Sequence, residues 1–413
     1  MSGETMSVRD RRTHAPKLGR RLLVGVGASA GVFLAAAAMA TGSAVTAAPA
    51  HADFEELLDP IIQPLLSSFT DAISAVDPAA ALDITSWTDS LLSSLSNIDL
   101  ALPSTDSALA AAASGAEPAA VATSAPYDLP ITLMEGTEPT VQAAVDGGSS
   151  LPVLVDTGSS GLVVPLTDIA GSTNLLSEWE TLLTLGSPSS FGESGYSGGV
   201  DYIYLTYNDL PVSYADGLTT NGPVEVEVYS WDPSNFGSLF TNDAFQNFLY
   251  DNDSQGGILG IGDNVNGGAG TSPFDSYGSA LVDLKHDQLI IGGPNSYQSL
   301  DSVANNGSTL TGLTETVTTS TGGTVGSATG IADDLDTGGV QGTIPISGVT
   351  AGDTITVKDG STVLYSYTVP SGGVPVSTSG TSIDSGYYAL VDHPLYIDYA
   401  NDTTYIDSLT SAT

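Results

Sequence analysis

Leu151-Pro152-Val153-Leu154-Val155-Asp156-Thr157-Gly158-Ser159-Ser160-Gly161-Leu162-Val163-Val164-Pro165 sets an Asp-Thr-Gly turn between two apolar, β-branched runs. Runs of this kind read as buried strands joined by a tight connection. Burying an ionised aspartate costs several kcal/mol unless donors satisfy it, and the turn supplies them from its own residues. Gly158 lets backbone come close, and Thr157 and Ser159 carry hydroxyls. Asp-Thr-Gly is also an ordinary turn sequence, so the flanking runs are what make Asp156 a candidate for chemistry.

The same phrase recurs. Asp336-Thr337-Gly338-Gly339-Val340-Gln341-Gly342-Thr343-Ile344-Pro345 repeats it, with Pro345 placed after Asp336 as Pro165 is placed after Asp156. Two aligned copies in one chain imply an internal two-fold. Around them the texture is mainly β: Tyr202–Tyr207 and Val224–Tyr229 alternate as strands do and are separated by Gly, Asn, Asp and Ser clusters. Helical patterns are scarce, and Thr241–Tyr250 is the best of them.

On these residues the chain resembles the pepsin-type aspartic proteases, and more closely the protease domains of mycobacterial PE-PGRS-type secreted proteins, from Tyr127 to the C-terminus. Val153–Pro165 is similar to the family's first catalytic loop. Gly257-Ile258-Leu259-Gly260-Ile261-Gly262 is similar to the apolar strand that threads beneath that loop. The resemblance implies a bilobal fold with pseudo-two-fold symmetry, an N-terminal lobe at 127–297 and a C-terminal lobe at 298–413. It implies catalysis by Asp156 and Asp336, supported by Thr157, Gly158, Ser159, Thr337 and Gly338, with Thr157 and Thr337 tying the two loops together. Tyr196, in Gly195-Tyr196-Ser197-Gly198-Gly199, falls about where the family has its flap tyrosine. The implied substrates are polypeptides, among them secreted or cell-envelope proteins, and a monomer is expected. Neither a metal nor an organic cofactor is called for.

Asp384-Ser385-Gly386 offers an alternative second aspartate, and Ile383 before it is suitably apolar, whereas Asp336 is approached by Asp333 and Asp334. Topology favours Asp336. Each lobe needs a loop and then a later strand returning under it, and only Asp336 leaves chain for that return, with Ser382–Gly386 as the returning strand and Pro394–Tyr399 as the closing one. One departure from the pepsin pattern is Gly339, where the family usually has Ser or Thr.

Upstream, Arg9, Arg11, Arg12, Lys17, Arg20 and Arg21 precede an uncharged stretch ending in Ala50-His51-Ala52, which reads as a signal peptide over 1–52 for the Sec or twin-arginine route. A secreted or cell-surface protein follows. Residues 53–100 read as a helical segment. Its apolar stripe from Phe54 to Val76 is broken by Pro60 and Pro64, and is suited to packing on the protease body or to an envelope or partner contact. Residues 101–126 read as an Ala/Ser/Pro-rich linker.

The whole chain has a formal charge of −39. Beyond the leader it keeps only Lys285 and Lys358 as basic residues, a balance that repels nucleic acid. With no cysteine, thiol catalysis, disulfides and zinc–thiolate sites are excluded. His286 beside Asp287 and His393 beside Asp392 are poor triad material, because sequence neighbours in a strand face opposite ways; both read as surface histidines. Two rivals remain at this level: a catalytically silent pepsin-like surface binding protein, and a calcium-stabilised scaffold. The latter is suggested by Asp251–Gly256, which begins like a calcium loop but has Gly262 where a bidentate glutamate belongs.

Overall fold

A strand apolar on both faces belongs inside a sheet. In the computed structural model, which describes residues 126–411 apart from 172–174, 197–198, 236–237, 239–243, 252–255, 263–270 and 305–306, Ser150–Asp156 and Ser160–Pro165 lie near the middle of a ten-stranded sheet. Val153, Val155, Leu162, Val163 and Val164 are fully buried there. Each such side chain contributes about 1.5–3 kcal/mol of burial free energy. The chain is mainly β, as its texture predicts.

Ile258–Ile261 runs between those two strands, parallel to the first and antiparallel to the second. The fit depends on Gly260, where an added Cβ would come 2.7 Å from the Ser159 backbone. Further out, Val200–Tyr207 pairs with both Ser190–Tyr196 and Val224–Trp231. In the last of these both faces are covered, so Glu225 and Glu227 are buried along with Val224 and Val226. The helix Ala244–Asp251 falls on the sequence candidate and buries Phe245 and Leu249. Two helices were not anticipated, Leu166–Ala170 and Leu175–Leu185. In the longer one Leu175, Leu182 and Leu185 recur at helical spacing, a signal that was available.

The second Asp-Thr-Gly phrase grows from a five-stranded sheet ordered Thr362–Thr368, Thr354–Asp359, Thr309–Thr318, Thr324–Asp334, Ser382–Asp384. Ser382–Asp384 lies parallel to Ala332–Asp334. The strand leading into each loop therefore has a later strand running parallel beside it, Ile258–Ile261 in one case and Ser382–Asp384 in the other.

A six-stranded sheet takes strands from both ends of the described chain. Its order is Tyr127–Pro130, Gln288–Ile291, Ser279–Asp283, Leu395–Asp398, Thr403–Ser411, Tyr297–Ala304. Strands from before and after residue 297 interleave in it. One apolar core extends from Val153 and Leu259 to Leu313, Leu335 and Ile383. The leader over 1–52, the helical segment over 53–100 and the linker over 101–126, except Pro126, lie outside the described residues. Among the described residues no helix is long and apolar enough to cross a membrane.

Candidate active site

The two Asp-Thr-Gly turns meet through their threonines. Thr157 Oγ1 donates to the Leu335 carbonyl at 2.5 Å and accepts from the Thr337 N–H at 2.9 Å. Thr337 Oγ1 donates to the Val155 carbonyl at 2.6 Å and accepts from the Thr157 N–H at 3.2 Å. These four hydrogen bonds, with a longer fifth of 3.4 Å between the two hydroxyls, pass between loops 180 residues apart in sequence. Both threonines are 1 % exposed, and a buried network with every member satisfied is rigid. Serine would keep the hydroxyl, but the threonine methyl gives up rotamer freedom in advance.

This crossing sets each carboxyl against the other loop's glycine. A Cβ on Gly158 would meet the Asp336 carboxyl carbon at 2.6 Å, and one on Gly338 would meet that of Asp156 at 3.0 Å. The glycine of each phrase is therefore required by the opposite aspartate. The turn N–H groups hold the near carboxyls as well: Gly158 N–H donates to Asp156 Oδ1 at 2.8 Å and Gly338 N–H to Asp336 Oδ1 at 2.7 Å.

The match stops at the next residue. Ser159 Oγ donates to Asp156 Oδ2 at 2.5 Å, whereas Gly339 has nothing to donate to Asp336. Asp156 so has two donors of its own loop. Burial first, and then the charges of Asp156 and Asp384, hold Asp336 well above the ordinary carboxylate range.

Asp333 and Asp334, the acidic approach to Asp336, have partners in the fold. Asp333 is 0 % exposed, and its carboxyl accepts from Tyr365 Oη and Ser385 Oγ, both at 2.7 Å. Burial still pushes it up to about 7. Asp334 accepts from Ser308 Oγ and is pushed up to about 6, again by burial. Sequence reading missed Tyr365, Ser385 and Ser308. Nothing in the local pattern of any of them signals a carboxylate partner.

Tyr196 ends the strand Ser190–Tyr196, which makes a hairpin with Val200–Tyr207. Its ring stacks on Tyr202 and Phe248, with centroids 5.9 and 5.6 Å away. Burial, Tyr202 and then the charge of Asp156 raise its pKa, which puts the phenol within electrostatic reach of the first loop.

His286 Nδ1 lies 2.8 Å from Asp283 Oδ2, which also accepts from Tyr297 Oη at 2.5 Å, and Asp287 takes no part. His393 differs from the surface histidine expected: it is half-buried, its Nδ1 lies 3.2 Å from the Asp407 carbonyl, and burial lowers its pKa. Lys285 Nζ pairs with Asp392 at 2.7 Å. The calcium-like string Asp251–Gly256 lies largely outside the described residues. Among the described residues no group of three His, Asp or Glu side chains could hold a metal ion.

Residues 127–406 match the family model of the PE-PGRS C-terminal aspartyl peptidase-like domain. PE cleavage protein A of Mycobacterium marinum is 33 % identical over 181 residues, 40 % of this chain and 31 % of that protein. PE cleavage protein A of Mycobacterium tuberculosis is 31 % identical over 294 residues, 66 % of this chain and 50 % of that protein. The chain thus spans half or less of the length of these curated relatives.

Proposed function

Because this chain belongs to the PE-PGRS C-terminal aspartyl peptidase-like family, we propose that it is an aspartic endopeptidase working through an Asp156–Asp336 pair and an activated water. The observation that carries this reading is the reciprocal threonine crossing, which sets both carboxyls against the partner loop's glycine. Two carboxylates so close share one proton, because both cannot be ionised cheaply. Burial and the charge of Asp156 hold Asp336 well above the ordinary carboxylate range, so the shared proton favours Asp336. In the proposed step a water between the two gives its proton to Asp156 as its oxygen attacks the peptide carbonyl. Asp336 donates to the oxygen on which charge develops. Asp156 then passes the proton it took to the leaving nitrogen as the C–N bond breaks, and the hydroxyl formed on the carbonyl carbon returns a proton to Asp336 as the carboxyl product forms, which restores the pair.

An extended peptide pairs with the cleft as an added strand, with Tyr196 and the hairpin behind it as the covering flap. Activity is expected to favour acid pH, where the pair retains its shared proton. The relatives carry PE cleavage in their names, which supports a cleaving role; polypeptides of the secreted or envelope class are the substrates this reading assigns. Export by the N-terminal leader to the outside or the surface of the cell fits those substrates, as does the protein acting as a monomer. The rival reading, a silent binding protein on the same fold, draws on the missing hydroxyl at Gly339.

The test is cleavage of a denatured protein mixture at acid and neutral pH by the full-length protein and by its Asp156→Asn and Asp336→Asn variants. Acid-favoured cleavage that falls to background in both variants is the expected result. Cleavage indifferent to both substitutions, or absent from the unmodified protein, would overturn the peptidase reading, and the latter outcome leaves the silent binding protein in its place.

A further inference from the structure

Ser159 Oγ supports Asp156, and the corresponding Gly339 leaves Asp336 without such a donor. That gap is filled from elsewhere. A Cβ added at Gly339 would fall inside the Asp384 carboxyl group, which therefore occupies the space of a position-339 side chain. Asp384 ends the strand Ser382–Asp384, parallel to the strand that leads into the second loop. Its N–H is held by Thr343 Oγ1 at 2.9 Å, so the backbone beneath the carboxyl is anchored.

The geometry points to Asp384 as the positioning residue for Asp336, its carboxylic acid supplying to the second loop the hydroxyl that Ser159 supplies to the first. This inference rests on the peptidase reading of the site. The carboxyl takes a hydrogen bond from the Gly386 backbone, while Oδ1 is buried and has no hydrogen-bond partner. A buried orphan oxygen is costly as an acceptor, and a proton on it makes it a donor. The ionisable groups around it are all acids: Asp333 and Asp334 on the adjacent strand, with Asp156 and Asp336 on the loops. Burial and those charges hold Asp384 well above the ordinary carboxylate range, so it has a proton to donate. Glycine at 339 then follows, since a serine there and the Asp384 carboxyl would compete for one space.

The experiment is a reciprocal replacement in the full-length protein, with kcat and KM measured on one peptide and folding followed by thermal unfolding. Asp384→Ala is expected to lower kcat about 10- to 100-fold, the size of leaving a buried polar group without its partner, with KM changed by less than about threefold. Gly339→Ser alone is expected to be impaired by collision with Asp384. The double variant Gly339→Ser/Asp384→Ala restores the hydroxyl from the loop itself and recovers to within about threefold of the unmodified protein, a coupling a merely structural role does not produce.

Asp384→Asn keeps both volume and a donor, and is expected to stay active even if the alanine variant fails to fold. Asp156-dependent cleavage with kcat unchanged in Asp384→Ala, or a folded double variant no better than Asp384→Ala, overturns this inference alone. So does Asp384→Asn falling to the background of Asp336→Asn, which would make Asp384 a member of the pair. No Asp156-dependent cleavage by the unmodified protein overturns the peptidase reading and this inference with it.

Discussion

The loop at Asp156 and the loop at Asp336 exchange the same bonds across their interface, yet each carboxyl is supported differently. The first finds its donors within its own turn, at Gly158 and Ser159. The second has one donor in its turn, at Gly338, and an acid from a distant strand lying over the empty place at Gly339. Two loops with one backbone plan thus present carboxyls in unlike surroundings. The difference suits a pair in which one member is charged and the other holds a proton, since identical surroundings would leave that choice open.

The strongest way to break the comparison is to neutralise its centre. Asp156→Asn and Asp336→Asn should each reduce peptide cleavage to background while leaving the unfolding temperature within a few degrees of the parent. If one of them retains substantial turnover, the two loops do not form one catalytic unit.

Next in size is the pair of close-approach glycines. Gly158→Ala forces a Cβ to within 2.6 Å of Asp336, and Gly338→Ala to within 3.0 Å of Asp156. A displaced carboxyl costs about 100-fold in rate, so Gly158→Ala is expected to lose at least that much kcat and Gly338→Ala several-fold less. Equal losses would mean that the two approaches are equally tight in solution.

Ser159→Ala asks what local support is worth. Removal of its bond to Asp156 should cost about 10- to 100-fold in kcat. Steady-state kinetics at acid pH would measure this, and an effect on KM alone would place Ser159 in substrate binding.

The smallest effect per group is spread over both sheets. Burial raises Glu225 to about 7 and Glu227 to about 8 in the ten-stranded sheet, and Glu315 to about 8 and Asp333 to about 7 in the five-stranded one. The folded state therefore binds these protons more tightly than the unfolded chain does. Their contribution is fully present below the ordinary carboxylate range and is lost as pH rises through about 7 to 8. Thermal unfolding should show a fall on the order of 10 °C between pH 5 and pH 8.5, flattened in part by Glu227→Gln and by Glu315→Gln. A midpoint that rises over this interval would contradict the burial of these groups.

Much of this was legible in the residues. The flanking apolar runs announce buried strands because side chains alternate with period two, and the repeated Asp-Thr-Gly announces itself because so tight a turn tolerates few residues. Preferring Asp336 to Asp384 calls for a returning strand over Ser382–Gly386; a strand does run there, parallel to Ala332–Asp334, but it is shorter, ending at Asp384 with a helix beginning at Gly386. The helix Leu175–Leu185 went unread although its leucine spacing was visible. The partners of Asp333 were beyond reading, since Tyr365 comes from the strand Thr362–Thr368 and Ser385 from just past the strand Ser382–Asp384.

Sequence alone determined a mainly β, acidic, cysteine-free chain with two matching aspartate turns, because those are matters of composition and of residues a few positions apart. Only the tertiary structure decided that each glycine is held open by the opposite aspartate, that Val224–Trp231 buries Glu225 and Glu227 with Val224 and Val226, and that Asp384 stands where Gly339 has no side chain. Such contacts join residues as far as 180 positions apart. They depend on which sheet faces which, and a local pattern carries no record of that.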